Sequence, residues 1–264
     1  MTSPAPSEPL TGHQLYHAAP LTPARAAAVV AIAIVTLYAV QLVLLGLGTP
    51  ALAASAVGDV VVLAGLLGYA RRRGVPMRDL GLRGARLRFV VAAILLGLSM
   101  WYLTALLVAL LDMPGDTTKL QQLVEQTALA PTLVALTVFP AVAEEVLFRG
   151  VLLRSLAPRL RAPAAIVISA LVFGLYHLFP PQMVSTFVLG LVLCVLTVRS
   201  ASLVPAMIVH ALNNTIAVLL ARDEIPGASA WLTAHGELAL GGAIVFVASG
   251  LVLAARGVAP SATV

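Results

Sequence analysis

The sequence predicts an all-α, polytopic integral membrane protein of about eight transmembrane helices, and three observations carry that prediction. The 264 residues are 60% hydrophobic and only 10% charged, with a mean hydropathy of +1.01; a soluble domain of this length needs far more polar surface to cover its core. Apolar stretches long enough to cross about 30 Å of hydrocarbon follow one another along the chain. The arginines fall in alternate connections between those stretches, as an orientation signal requires.

Taken in order, residues 1–24 are rich in Pro, Ala, Ser and Thr, the composition of a disordered cytoplasmic tail rather than of a signal peptide. His13 and His17 are expected to be solvated there. Eight apolar stretches follow, at 26–47, 51–70, 88–111, 129–153, 162–178, 182–198, 203–221 and 236–255. They read as one transmembrane domain over 25–256, closed by a short cytoplasmic tail at 257–264. The mixed-polarity segment TTKLQQLVEQTALA before the fourth stretch reads as a short interfacial helix on the far side. Seventeen prolines and twenty glycines predict broken or kinked helices.

The connection RRRGVPMRDLGLRGARLR carries seven arginines, and Arg154, Arg159 and Arg161 follow the fourth stretch. Both connections are expected in the cytoplasm, and the same alternation puts Arg25, Arg199 and Arg256 there. The opposite loops hold only Lys119 and Arg222 among Asp112, Asp116, Glu125, Asp223 and Glu224. The expectation is a multi-pass protein of the cell membrane with both termini cytoplasmic. Membrane lipids are then its solvent, and no basic patch with interleaved aromatics points to nucleic acid. The single cysteine, Cys194, lies in an apolar run; it excludes an intrachain disulfide framework and reads as a small core residue.

Ionisable groups at membrane depth are costly and mark candidate sites. Glu145 and Arg149 are four residues apart and share a helix face, so they can neutralise each other. Glu144, rotated by about 100° from Glu145, has no such local partner and is the candidate general base. Pro140 removes a backbone donor just before it. His177 follows Phe173 by four residues, and Asn214 follows His210 by the same spacing, so each pair projects from one face. Glu144 lies fourteen residues before Pro158 and His177 sixteen after Arg161, so an antiparallel hairpin brings both to roughly 21–24 Å from one turn. From the turn near Ser200, His210 and Asn214 lie roughly 15 and 21 Å in. Each motif also has a bland reading: an ion pair that fixes helix packing, or histidines satisfied inside a core. Asp59 has no nameable partner and sits near the expected outer end of its span, where a structural, hydrated role fits. His235 and Glu237 flank the last span and read as interfacial.

The three motifs EEVLFR, FGLYH and HALNN, in that order on separate stretches, resemble those of the CAAX-protease and bacteriocin-processing (CPBP, or Abi) family of intramembrane proteases. That family includes the type II CAAX prenyl endopeptidases. The motif-bearing region is about 129–221. The resemblance implies an eight-helix fold whose first motif glutamate, Glu144, activates water together with His177, while His210 and Asn214 stabilise the oxyanion. Glu145, Arg149 and Phe173 would support that geometry. The family has also been described as zinc-dependent, and Glu144, His177 and His210 form a chemically adequate ligand triad. HExxH is absent, and Asn214 is a poor zinc ligand and a neutral donor suited to an oxyanion hole. The expectation is therefore a metal-free glutamate protease acting on a membrane-associated or lipid-modified protein or peptide. Its rivals are a non-catalytic membrane partner, in bacteriocin immunity or sensor regulation, and a proton-coupled transporter. The latter lacks any visible internal repeat.

Overall fold

A computed structural model of the chain describes residues 21–113, 115 and 118–256. Residues 1–20 and 257–264, with His13 and His17, and Asp116 lie outside the described residues. Among the described residues there are ten helices and no strand. They are α1 (Pro23–Gly46), α2 (Ala51–Arg72), α3 (Leu87–Leu110), α4 (Thr118–Gln126), α5 (Leu129–Leu156), α6 (Ala162–Tyr176), α7 (Pro180–Ser200), α8 (Val204–Ala221), α9 (Ala228–Ala234) and α10 (Gly236–Ala255).

Seven of them, α1, α2, α3, α5, α7, α8 and α10, are long and apolar enough to cross a membrane. The chain is a polytopic, all-α membrane protein. Its outer surface agrees: Ile32, Leu42, Leu238 and Val245 are each at least 60% exposed, a surface suited to hydrocarbon and not to water. The stretch 162–178 departs from the expected full crossing. Its helix α6 has fifteen residues, about 22 Å of rise, and stops short of the hydrocarbon thickness. Leu178, just past it, takes a positive φ of 58°, and Pro180 starts α7 two residues later. His177 is therefore the cap of a short helix instead of a mid-helix residue.

Helix α3 is the middle of the bundle and packs on α7, α8 and α10, while α5 touches α1, α2, α6, α7 and α8. Close approach is bought with glycine at the crossings that matter. A Cβ on Gly97 of α3 would lie 2.7 Å from Leu212 Cβ of α8, and one on Gly174 of α6 would lie 2.8 Å from the Met183 carbonyl oxygen of α7.

The prolines punctuate the helices more than they kink them. Pro23, Pro163, Pro180, Pro181 and Pro205 occupy first-turn positions, where the missing N–H is an orphan anyway. Among the described prolines only Pro140 lies deep inside a helix, and there α5 does depart from α-geometry. Residues Val134–Val138 and Glu145–Leu153 form wider π-type turns on either side of a short α-segment. Such turns accommodate a residue that cannot donate to the preceding ladder.

The α2–α3 connection, the α7–α8 turn and the end of α5 meet at one end of the bundle. Leu203 N donates to Gly81 O at 2.9 Å, Arg83 Nε to Ala201 O at 2.8 Å, and Arg154 Nη2 to the same carbonyl at 3.0 Å. Arg154 is thus not a loop residue, as its place after the fourth stretch implied; it lies within α5 and is buried. At the other end, Arg222 donates to the Val124 and Thr127 carbonyls and pairs with Glu224 at 3.0 Å, tying α4 to the end of α8.

Gly174→Val should destabilise the detergent-solubilised protein by about 1–3 kcal/mol, the usual cost of overpacking, with a matching drop in thermal unfolding temperature. Gly65 has nothing within 4 Å of a Cβ, and Gly65→Ala should be neutral or slightly stabilising in the same assay.

Candidate active site

The site is assembled around α5. Glu145 and Arg149 are both fully buried, and Arg149 Nη1 donates to Glu145 Oε1 at 3.0 Å, so the pair expected from their spacing forms. Arg149 also reaches α7, where Nη2 donates to the Gly190 carbonyl at 3.3 Å. Its guanidinium lies 4.2 Å from the centre of the Phe173 ring, a cation–π contact that satisfies the face no hydrogen bond can. A buried Arg fits this position better than Lys because its planar fork serves two acceptors and an aromatic face at once.

His210 of α8 completes the group. Its Nδ1 lies 2.9 Å from Glu145 Oε1, and its Nε2 lies 3.8 Å from Glu144 Oε2. With a carboxylate as partner, Nδ1 carries the hydrogen, which turns Nε2 toward Glu144. The two glutamates are therefore bridged by one imidazole, although they differ in their other contacts. Glu145 Oε1 has two partners, Arg149 and His210. Glu144 is 8% exposed, and its Oε2 has no hydrogen-bond partner among the described residues.

His177 joins the site from the end of α6. Its Nδ1 donates to the Phe173 carbonyl at 2.9 Å, leaving Nε2 as the acceptor of the neutral ring. Its ring packs edge-on against Phe173, with centroids 5.0 Å apart, and against Tyr176, at 4.9 Å. Phe173 in turn meets the His210 ring at 5.9 Å and Phe148 of α5 at 5.1 Å. The two histidines thus flank one fully buried phenylalanine, and the hairpin of α5 and α6 sets His177 against the ring that His210 also meets.

Asn214 stands a little apart. Its Nδ2 donates to the Leu136 carbonyl at 2.9 Å, and its Oδ1 accepts from Asn213 at 3.1 Å. Leu136 lies four residues before Pro140, which has no N–H to offer that carbonyl. A side-chain amide from α8 supplies one in its place, and the second N–H of that amide is available to another acceptor.

Two residues escaped the sequence reading. Tyr176, within FGLYH, interacts through its hydroxyl with Glu144, and Tyr38 of α1 donates to the Tyr176 carbonyl at 2.8 Å. Tyr176 could have been found as the neighbour of His177; Tyr38 left no signal. Asp59, read as structural and hydrated, is 5% exposed and lines a small cavity together with Glu144 and Tyr176. His235 packs on Trp231, away from these groups; Cys194 is buried and interacts with Arg149 and Ser169.

Among the described residues, no group of three or more His, Cys, Asp or Glu side chains is arranged to hold a metal ion. His210 directs Nδ1 to Glu145, and His177 directs Nδ1 to a backbone carbonyl.

Residues 126–216 match the family model described as Rce1-like, type II CAAX prenyl endopeptidase Rce1-like. That segment spans EEVLFR, FGLYH and HALNN, the motifs on which the sequence resemblance rests. No curated protein and no solved structure matches the chain.

Replacing Arg149 by Met should cost about 3–5 kcal/mol, because it strands a buried carboxylate. Arg149→Met with Glu145→Gln should recover part of that loss, since the amide carries no charge to compensate. Thermal unfolding of both variants beside the wild type checks the order.

Proposed function

We propose that this chain is an intramembrane endopeptidase of the kind its Rce1-like segment names, with Glu144 as the base that activates water. One observation carries the reading most. Among the described residues, both adjacent buried glutamates keep an Oε2 without a hydrogen-bond partner, but Glu145 Oε1 is taken up by Arg149 and His210, whereas Glu144 has no arginine partner and turns its free Oε2 to His210 Nε2 at 3.8 Å. A carboxylate held in place but not saturated is what a general base requires.

In this mechanism Glu144 takes a proton from water, assisted by His177 through its free Nε2, and the hydroxide attacks the scissile carbonyl carbon. His210 and the second N–H of Asn214 donate to the oxyanion as the tetrahedral intermediate forms. His210 enters the cycle with a proton on each nitrogen and transfers neither: Nδ1–H is donated to Glu145, whose buried carboxylate balances the charge, and Nε2–H is donated to the oxyanion. Arg149 and Phe173 fix Glu145 and both imidazole rings. Glu144 then passes its proton to the leaving amine as the C–N bond breaks, which restores the carboxylate and releases two peptides.

The mechanism uses no metal; it gives Asn214, a neutral donor and a poor zinc ligand, the oxyanion. The substrate is a membrane-associated or lipid-modified protein or peptide that enters from the bilayer, toward the short α6. The arginine-bearing end of the bundle faces the cytoplasm, with the N- and C-termini on that side.

Membranes of cells carrying wild type or Glu144→Gln, at matched protein levels, should differ in a small set of protein termini. A synthetic peptide spanning such a terminus should be cut by purified wild type and, with Glu144→Gln, at least about 100-fold more slowly. A zinc chelator should leave the rate unchanged. Identical termini in the two membranes would sink the protease reading, and chelator inhibition reversed by zinc would sink the metal-free one. For orientation, a single cysteine at position 78, in a Cys194→Ala background, should react with an impermeant maleimide only from the cytoplasmic side; one at position 224 should react only from the other.

A further inference from the structure

Asn213 lies between the two motif residues of HALNN, and the mechanism above gives it no part. It stands three residues beyond His210, and Asn214 stands four, so both amides project from the side of α8 that carries the imidazole. Consecutive residues on a helix do not face each other, yet Asn213 Nδ2 donates to Asn214 Oδ1 at 3.1 Å. The two side chains are turned together. This comes at a cost, because Asn213 Oδ1 is buried and has no hydrogen-bond partner among the described residues; a leucine at the same place in a membrane helix would leave nothing unsatisfied. Packing therefore does not account for the amide, whereas its donated hydrogen does. Asn214 Nδ2 donates to the Leu136 carbonyl at 2.9 Å, the carbonyl that Pro140 leaves without an N–H. The Asn214 amide is thus held at both ends, through nitrogen by α5 and through oxygen by its own neighbour. Turning it over would set oxygen against the Leu136 carbonyl and N–H against the Asn213 NH2 group, replacing two hydrogen bonds by two repulsive contacts. The amide is planar, so fixing both ends also fixes the direction of its remaining N–H.

We propose that Asn213 is a positioning residue of the oxyanion site: it holds the Asn214 amide in the orientation that leaves an N–H, and not the carbonyl oxygen, for the substrate. The inference rests on the protease reading, in which Asn214 donates to the oxyanion, and adds to it a residue that touches no reacting atom. A single hydrogen bond to Leu136 leaves the amide free to swing about that contact. The second, at Oδ1, removes the swing. Donors aimed before the charge appears need no reorganisation when it does. Each of the two oxyanion donors then has its own anchor, Glu145 for His210 and Asn213 for Asn214.

The test uses the full-length protein in proteoliposomes and the synthetic peptide spanning a terminus lost in Glu144→Gln. Asn214→Ala should lower kcat about 100-fold, the scale of a lost oxyanion donor, and Asn213→Leu about 10-fold, that of a donor present but loosely aimed, both at unchanged KM. Asn213→Ser removes the same donation with a smaller side chain, whose hydroxyl turns back to the preceding turn of the helix, and should show the same loss. The double variant Asn213→Leu with Asn214→Ala should be no slower than Asn214→Ala, because a positioning residue has nothing to act on once its target is gone. Full kcat in Asn213→Leu or Asn213→Ser overturns the proposal. So does a double variant in which the two losses multiply, or a loss in both single Asn213 variants that follows the loss of folded protein. In those cases Glu144→Gln remains inactive and the protease reading stands. Full kcat in Asn214→Ala removes the oxyanion role of Asn214 and this inference with it, again without touching Glu144. If no terminus is lost in Glu144→Gln, the protease reading falls and this inference falls with it.

Discussion

The site depends on keeping a guanidinium and a carboxylate at membrane depth, fully buried and within 3.0 Å of each other. Neither ion could stay there alone. Together they are neutral, yet neutrality is not enough, because each still presents donors and acceptors that hydrocarbon cannot satisfy. The structure answers from three other helices: a backbone carbonyl of α7 and the Phe173 ring of α6 for Arg149, and the His210 ring of α8 for Glu145. Every helix that brings a motif residue to the site thus makes contact with this pair. The ion pair acts as a template against which the other groups take their positions, and Glu144 is placed by being its neighbour.

Phe173 shows the same economy. It contributes no proton and no charge, but it separates two imidazoles, covers one guanidinium and packs on Phe148. An aromatic ring can do this because its faces attract cations while its edges attract electron-rich partners. A branched aliphatic side chain would fill the volume without orienting anything.

Much of this was legible in the sequence because it follows from spacing along one helix. The four-residue step from Glu145 to Arg149 puts them on one face, and the same step from Phe173 to His177 puts that imidazole on the ring that covers Arg149. The bundle and its lipid-facing surface followed from hydropathy. What was hidden depends on contacts between helices. No local pattern announces that Asn214 reaches Leu136, although Pro140 advertised a carbonyl lacking its donor. Nor does any pattern turn Asp59 toward Glu144, since that needs the rotation of α2 about its axis. The shortness of α6 was missed because hydropathy continues through Leu178 and Phe179, whereas the helix stops where the backbone of Leu178 turns left-handed.

The composition of α5 has a consequence for how the protein is made. Of the seven long helices it has the lowest hydropathy, 1.5, with α8 next at 1.6, and a lone charge at the centre of a membrane helix costs about 2.5–3.5 kcal/mol on insertion scales. Carrying Arg149 one turn beyond Glu145, α5 brings its own counter-ion and can enter the bilayer with that cost largely offset. Glu144 has no such company until His210 arrives, 66 residues later in the chain. Between those two events only the Tyr176 hydroxyl, which arrives with α6, can serve that acid. The helix that will house the chemistry is therefore also the one whose settlement waits on synthesis still to come, and α8 closes both accounts when it docks.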